Sequence, residues 1–168
     1  MLAMMNLPMA GCAQSTSSPV ATHRLVYDSI EHRLSVYRHV LADPSHLKAI
    51  PTDEVPAALE AYCDGDKLRL VVATYAQEAG HSMDRYYFRN DSLFFLYDRL
   101  EFPTGPDTPN RVEEERLYFT ADTLVRWLGV RNTQHALSTP ASRHRGKEAV
   151  MRAGAFRQAL AGCPDHTS

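Results

Sequence analysis

A motif that occurs three times limits the folds open to this chain more than any other feature. Tyr62-Cys63-Asp64-Gly65-Asp66-Lys67-Leu68, Tyr87-Phe88-Arg89-Asn90-Asp91-Ser92-Leu93 and Tyr118-Phe119-Thr120-Ala121-Asp122-Thr123-Leu124 align without gaps as Tyr-(Cys/Phe)-x-x-Asp-x-Leu, and apolar residues follow each Leu. The starts lie 25 and 31 residues apart, the spacing of repeated supersecondary units. Tyr and Phe suit a pleated strand. The polar pair and Asp supply a turn, because Asp and Asn tolerate left-handed backbone and hydrogen-bond their own chain. Leu then starts the returning strand, so each unit reads as a β-hairpin.

Three hairpins in series predict an antiparallel meander of about six strands, near residues 59–63, 67–76, 83–89, 92–102, 112–119 and 123–129. The loop 103–110, with three prolines and a glycine, separates the second and third hairpins. Ahead of the repeats, Val26, Ile30, Leu34, Tyr37 and Leu41 recur at helical spacing and predict a helix over 23–42, stopped at Asp43-Pro44. After them, Ala149, Ala153, Phe156 and Leu160 share one face of a second helix over 147–160. The expected class is α+β, with the meander flanked by an N-terminal and a C-terminal helix, both packed on one face of the sheet. Trp127 is expected in the core against a helix.

The 168 residues suffice for one domain, placed at 23–164. A formal net charge of −2 offers no basic excess to displace counterions from phosphates, which argues against a nucleic-acid partner. Residues 1–12, MLAMMNLPMAGC, carry no charge, and a polar small-residue linker follows over 13–22. Ala10-Gly11-Cys12 resembles the end of a lipoprotein signal peptide, in which the cysteine becomes the lipidated N-terminus. It departs from that pattern in lacking a basic start and in its short apolar stretch. Cys12 as a lipidation site, and a Met-rich N-terminus with an incidental cysteine, are the two readings. Lipidation would tether the chain to a membrane, on the periplasmic side of the outer membrane. Cys63 and Cys163 remain as an even pair, which in an oxidising compartment predicts a disulfide.

No Gly-x-Ser-x-Gly, Walker loop, His-Glu-x-x-His or Cys-x-x-Cys occurs, and no cofactor or metal site is expected. Alternation along the last three strands gathers Tyr97, Arg99, Glu101, Glu114, Arg116, Tyr118 and Arg126 into a band of charge and aromatics. Such a band suits a peptide or sugar, since Tyr and Arg anchor interfaces. Ordinary cross-strand ion pairing is the plainer reading. The segment 86–128 resembles a family of uncharacterised bacterial envelope proteins and lipoproteins, through Tyr87-Phe88, Leu93-Phe94-Phe95, Glu115-Arg116-Leu117-Tyr118-Phe119 and Leu124-Val125-Arg126-Trp127-Leu128. The resemblance implies a hairpin sheet and a periplasmic setting, and carries over no catalytic residue. The leading expectation is a lipid-anchored, non-catalytic envelope module that binds an unidentified protein or glycan. The alternatives are a hydrolase of wall or sugar polymers, using a carboxylate pair such as Asp98 and Glu114, and an inhibitor of a hydrolase that inserts the loop 103–110.

Overall fold

Each repeat folds as a hairpin closed by a two-residue loop, and all three hairpins carry the same irregularity. The structure, a computed structural model, describes residues 19–48, 50, 54–77, 80–106, 108–161 and 163. In chain order the elements are α1 (Pro19–His32), β1 (Arg38–Leu41), the short α2 (Pro44–Leu47), β2 (Ala58–Asp64), β3 (Lys67–Gln77), β4 (Gly80–Arg89), β5 (Ser92–Phe102), β6 (Arg111–Thr120), β7 (Thr123–Leu128) and α3 (Pro140–Ala159). The seven strands form one antiparallel sheet in the order β1-β2-β3-β4-β5-β6-β7, so every strand pairs with its neighbours in sequence.

The repeat is legible in the register. Asn90 and Asp91 both have positive φ in the second loop, and Ala121 and Asp122 do in the third. In the first loop Gly65 takes that conformation. Two-residue loops of this kind match the twist of the strands they join. One residue after the shared Leu of each repeat, the register slips. Arg69, Phe94 and Val125 are the extra residues. Each is a β-bulge, which bends its strand and increases the local twist. The bulge at Phe94 places Phe94 and Phe95 together in one cluster of the core, while Leu93 and Leu96 join the other.

Both faces of the sheet are buried. On one face Ala61, Cys63, Val71, Tyr86, Leu96, Leu117 and Phe119 pack with Ala149, Ala153, Phe156 and Leu160 of α3. On the other, Leu70, Tyr87, Phe94 and Phe95 pack with Ile30 of α1 and with Tyr37. The two helices therefore lie on opposite faces, which corrects the expectation of one shared face. The reason is the double apolar character of β4 and β5: Tyr86 and Tyr87 are both fully buried and point to opposite sides. A sheet with two such faces needs a cover on each.

Two boundaries differ from expectation for local reasons. The helix expected over 23–42 stops at His32, and Arg38–Leu41 instead forms an edge strand on β2, with Arg38 opposite Cys63 and Leu41 opposite Glu60. Tertiary pairing overrides the weak helical periodicity of this segment. Strands thus number seven rather than six. Asp43 does not stop a helix but caps α2, accepting from the Ser45 amide at 2.8 Å. The C-terminal helix starts at Pro140 rather than Lys147. Thr139 caps it, its Oγ1 accepting from the Ser142 amide at 3.1 Å, and Pro140 fills the first turn. Gly146 brings α3 against β7, since a Cβ there would lie 2.9 Å from Leu124 Cβ.

The sulfurs of Cys63 and Cys163 meet at disulfide distance, with Cα atoms 5.8 Å apart, joining β2 to the segment after α3. Residues 1–18, including Cys12 and most of the expected linker, lie outside the described residues. Pro19 to Thr22, placed in that linker by sequence, form the first turn of α1.

Candidate functional site

The strand register sets two cross-strand rows on the α1 side of the sheet. Phe95 of β5 faces Tyr118 of β6, which faces Arg126 of β7. One step along, Tyr97 faces Arg116, which faces Leu128. The rings of Phe95 and Tyr118 lie 4.9 Å apart. The first turns of α1 add His23, Arg24, Tyr27 and Asp28 above these rows and close them into an open groove of about 610 Å³. Asn132 borders it on the β7 side. A second hollow of about 700 Å³ adjoins, sharing Arg116 and Asn132 and adding Arg111, Glu114 and Arg131.

Side chains along the rows divide into fixed and free. Arg116 is fixed from three directions. Its Nη2 donates to Glu114 Oε2 at 2.7 Å, its Nη1 donates to Asn132 Oδ1 at 2.8 Å, and its guanidinium lies 5.8 Å over the Tyr97 ring. The Tyr97 hydroxyl donates to Glu114 Oε1 at 2.6 Å. Burial, aided by that carboxylate, pushes the Tyr97 hydroxyl up to about 12. Asn132 reaches Arg116 from a turn in which Arg131 and Asn132 both hold left-handed backbone, φ 57° and 60°. For two consecutive residues that are not glycine this conformation carries strain.

Arg24 and Arg126, by contrast, have neither an ion-pair nor a hydrogen-bond partner among the described residues, and neither does Arg131 in the adjoining hollow. Arg126 Nε is buried without an acceptor. His23 is 8% exposed, its Nδ1 also lacks a partner, and its ring stacks on Phe94 at 5.6 Å. Desolvation, with the positive charge of Arg89, lowers the His23 pKa and favours the neutral ring.

Tyr97, Arg116, Tyr118 and Arg126 of the band read from the sequence line the groove, and Glu114 lies in the adjoining hollow. Arg99 and Glu101 line neither cavity; they share the strand face and pair with each other at 3.1 Å. His23, Arg24 and Tyr27 were not singled out in the sequence, because α1 reaches the groove only through the fold.

Asp98 and Glu114 do not converge. Asp98 projects to the α3 side, where Arg145 Nη2 donates to its Oδ2 at 2.7 Å, whereas Glu114 stands on the α1 side with Tyr97 and Arg116. The partner of Asp98 is Asp84, directly opposite on β4, with Glu115 opposite on β6. Three carboxylates thus line up across β4, β5 and β6 beneath α3. Asp84 is 5% exposed and accepts from the Tyr86 hydroxyl at 3.0 Å. Burial, with the neighbouring Asp98 carboxylate, pushes it up to about 7. Burial also raises Asp98 and Glu115, against the pull of Arg145. Arg145 lies 3.7 Å from both Glu115 and Glu148, and Glu148 also holds Arg152 at 2.9 Å. This network is covered by α3 and locks the helix to the sheet.

Trp127, expected in the core, is half-buried; it packs against the α3-side cluster and stacks on His135 at 3.8 Å. Among the described residues no group of His, Cys, Asp and Glu is arranged to hold a metal ion, and no helix is long and apolar enough to cross a membrane. Comparison with known protein families, with characterised proteins and with solved structures finds no match to this chain.

Proposed function

We propose that this chain is a non-catalytic binding module of the bacterial cell envelope, held at a membrane by a lipid on Cys12, with the groove beneath α1 as its ligand seat. One observation carries the reading: a concave site walled by tyrosines in which Arg24 and Arg126 have no internal partner among the described residues. Arginines elsewhere on the sheet and its covering helix, such as Arg69, Arg85, Arg99 and Arg145, each face a carboxylate. Leaving arginine unpaired beside aromatic rings gains nothing for the fold and suits recognition. The Cys63–Cys163 pair fits an oxidising compartment. The resemblance of residues 86–128 to envelope lipoproteins points the same way.

The anchor and the seat would be close together. Residues 13–18 separate Cys12 from Pro19, a reach of about 25 Å when extended. The first turns of α1 themselves border the groove. Two acyl chains or more would give stable anchoring.

The test uses the full chain expressed in a bacterium with a photo-crosslinking amino acid at position 97 or 118, and at exposed position 151 on α3 as a control. Adducts in the envelope fraction at 97 and 118 but not at 151 are expected, with palmitate labelling lost in Cys12→Ala. Recovery from the cytosol with Cys12 unmodified, or no adduct above the control, refutes the proposal.

A further inference from the structure

The groove carries information about its ligand beyond its existence, and this inference rests on the binding-module reading above. We infer that the ligand is an acidic saccharide, a pyranose ring bearing a carboxylate, with the carboxylate held by Arg126 and Arg24 and the ring laid against Tyr118 and Tyr97.

Arg24, Arg116 and Arg126 line the groove against the single carboxylate of Asp28, and the charge of Arg116 is already met by Glu114. Arg24 and Arg126 are left on a chain whose formal net charge is −2. A guanidinium without a partner presents a planar fork of donors that matches a carboxylate in two-point contact. The buried, unpaired Arg126 Nε is a donor that an incoming carboxylate would satisfy. His23, kept neutral by its burial, does not compete as a cation.

The groove lies on the face of β5, β6 and β7 beneath α1, so a peptide seated in it does not pair with the outer edge of β7 and extend the sheet. An amphipathic helix needs a continuous apolar trough, and in this floor Arg116 and Arg126 interrupt Phe95, Tyr97, Tyr118 and Leu128. Its volume of about 610 Å³ is that of a small-ligand site. Tyrosine rings that offer a flat apolar surface with a polar tip suit a pyranose, which has apolar faces and a polar rim. Arg116 is held by Glu114, Asn132 and Tyr97, so the wall that meets the ring is rigid before binding.

Isothermal calorimetry on the full chain in detergent tests this with four probes: trigalacturonate, its methyl ester, a muramic-acid disaccharide and hexaglutamate. The two free-acid sugars separate an acidic polysaccharide from a wall glycan as the source of the ligand. At least one should bind, with affinity falling as salt rises. Esterification and Arg126→Ala should each weaken that binding by tenfold or more. Arg157→Ala, whose side chain bonds the Asp91 carbonyl away from the groove, should leave it unchanged. Equal binding of the ester, or full affinity in Arg126→Ala, overturns the acidic assignment while leaving the groove a binding site. Tighter binding of hexaglutamate overturns the saccharide assignment. No binding of either acidic sugar overturns the inference, whereas the binding-module reading stands or falls on the crosslinking at positions 97 and 118.

Discussion

Replacing Asp84 with asparagine isolates one buried proton. Asp84 is held at about 7, because burial penalises its charge and the Asp98 carboxylate stands directly opposite. In the unfolded chain its pKa returns to about 3.8. Between those values the folded state keeps a proton that the unfolded chain has released. The contribution of this group to stability is complete below about pH 4 and is lost as pH rises through 7. Integrated from pH 5 to pH 8, the loss is about 3 kcal/mol. An asparagine at this position would carry the same shape and a permanent donor toward Asp98, and would still accept from the Tyr86 hydroxyl, but could not ionise. Urea unfolding followed by circular dichroism at pH 5, 6, 7 and 8 would measure both proteins. Asp84→Asn should gain on the wild type by about 3 kcal/mol across that window, because the contributions of groups that do not contact Asp84 cancel in the difference. Parallel stability curves for the two proteins would refute the reasoning. Asp98→Asn serves as a contrast, since it strips Arg145 of its closest carboxylate and should cost about 3 kcal/mol at pH 8, where that carboxylate is charged.

Other substitutions test the packing. Gly154→Ala should raise stability by up to about 1 kcal/mol in thermal unfolding, because nothing lies within 4 Å of the added methyl in mid-helix. Gly146→Val should instead lower it by about 1–3 kcal/mol, since even a Cβ there meets Leu124. Ala121→Gly should stabilise by about 1 kcal/mol by relieving φ 46° in the third hairpin loop; an unchanged or lower midpoint would show that the turn is not strained. Replacing Cys63 and Cys163 together by alanine should cost about 2–5 kcal/mol in chemical denaturation.

The hairpins were legible because their signal is local. A turn pair ending in Asp, with Leu two residues on, dictates its own backbone, and the strand limits read from sequence fall within a few residues of those observed. The start of α3 was also written locally, in Thr139-Pro140, but the apolar spacing that drew attention began only at Ala149. β1 was not legible, because its identity comes from the neighbouring strand: Leu34, Tyr37, Val40 and Leu41 satisfy a helical spacing, and pairing with β2 decides. The groove was half legible. Alternation along β5, β6 and β7 brings Tyr97, Arg116, Tyr118 and Arg126 to one face. That α1 crosses that same face, bringing His23 and Arg24, depends on two apolar sheet faces competing for two helices. Asp84 left a faint signal, a carboxylate two positions before a core tyrosine in a strand.

The order of assembly follows from the connectivity. Every strand finds its partner next to it along the chain, so hairpins can zip up one after another as the polypeptide is synthesised. The Cys63–Cys163 bond breaks that rule, because it ties the first hairpin to a thiol delivered a hundred residues later. Oxidation of this pair is therefore a completion signal, and a chain stalled before its last helix keeps Cys63 as an unspent thiol that a trapping reagent can count.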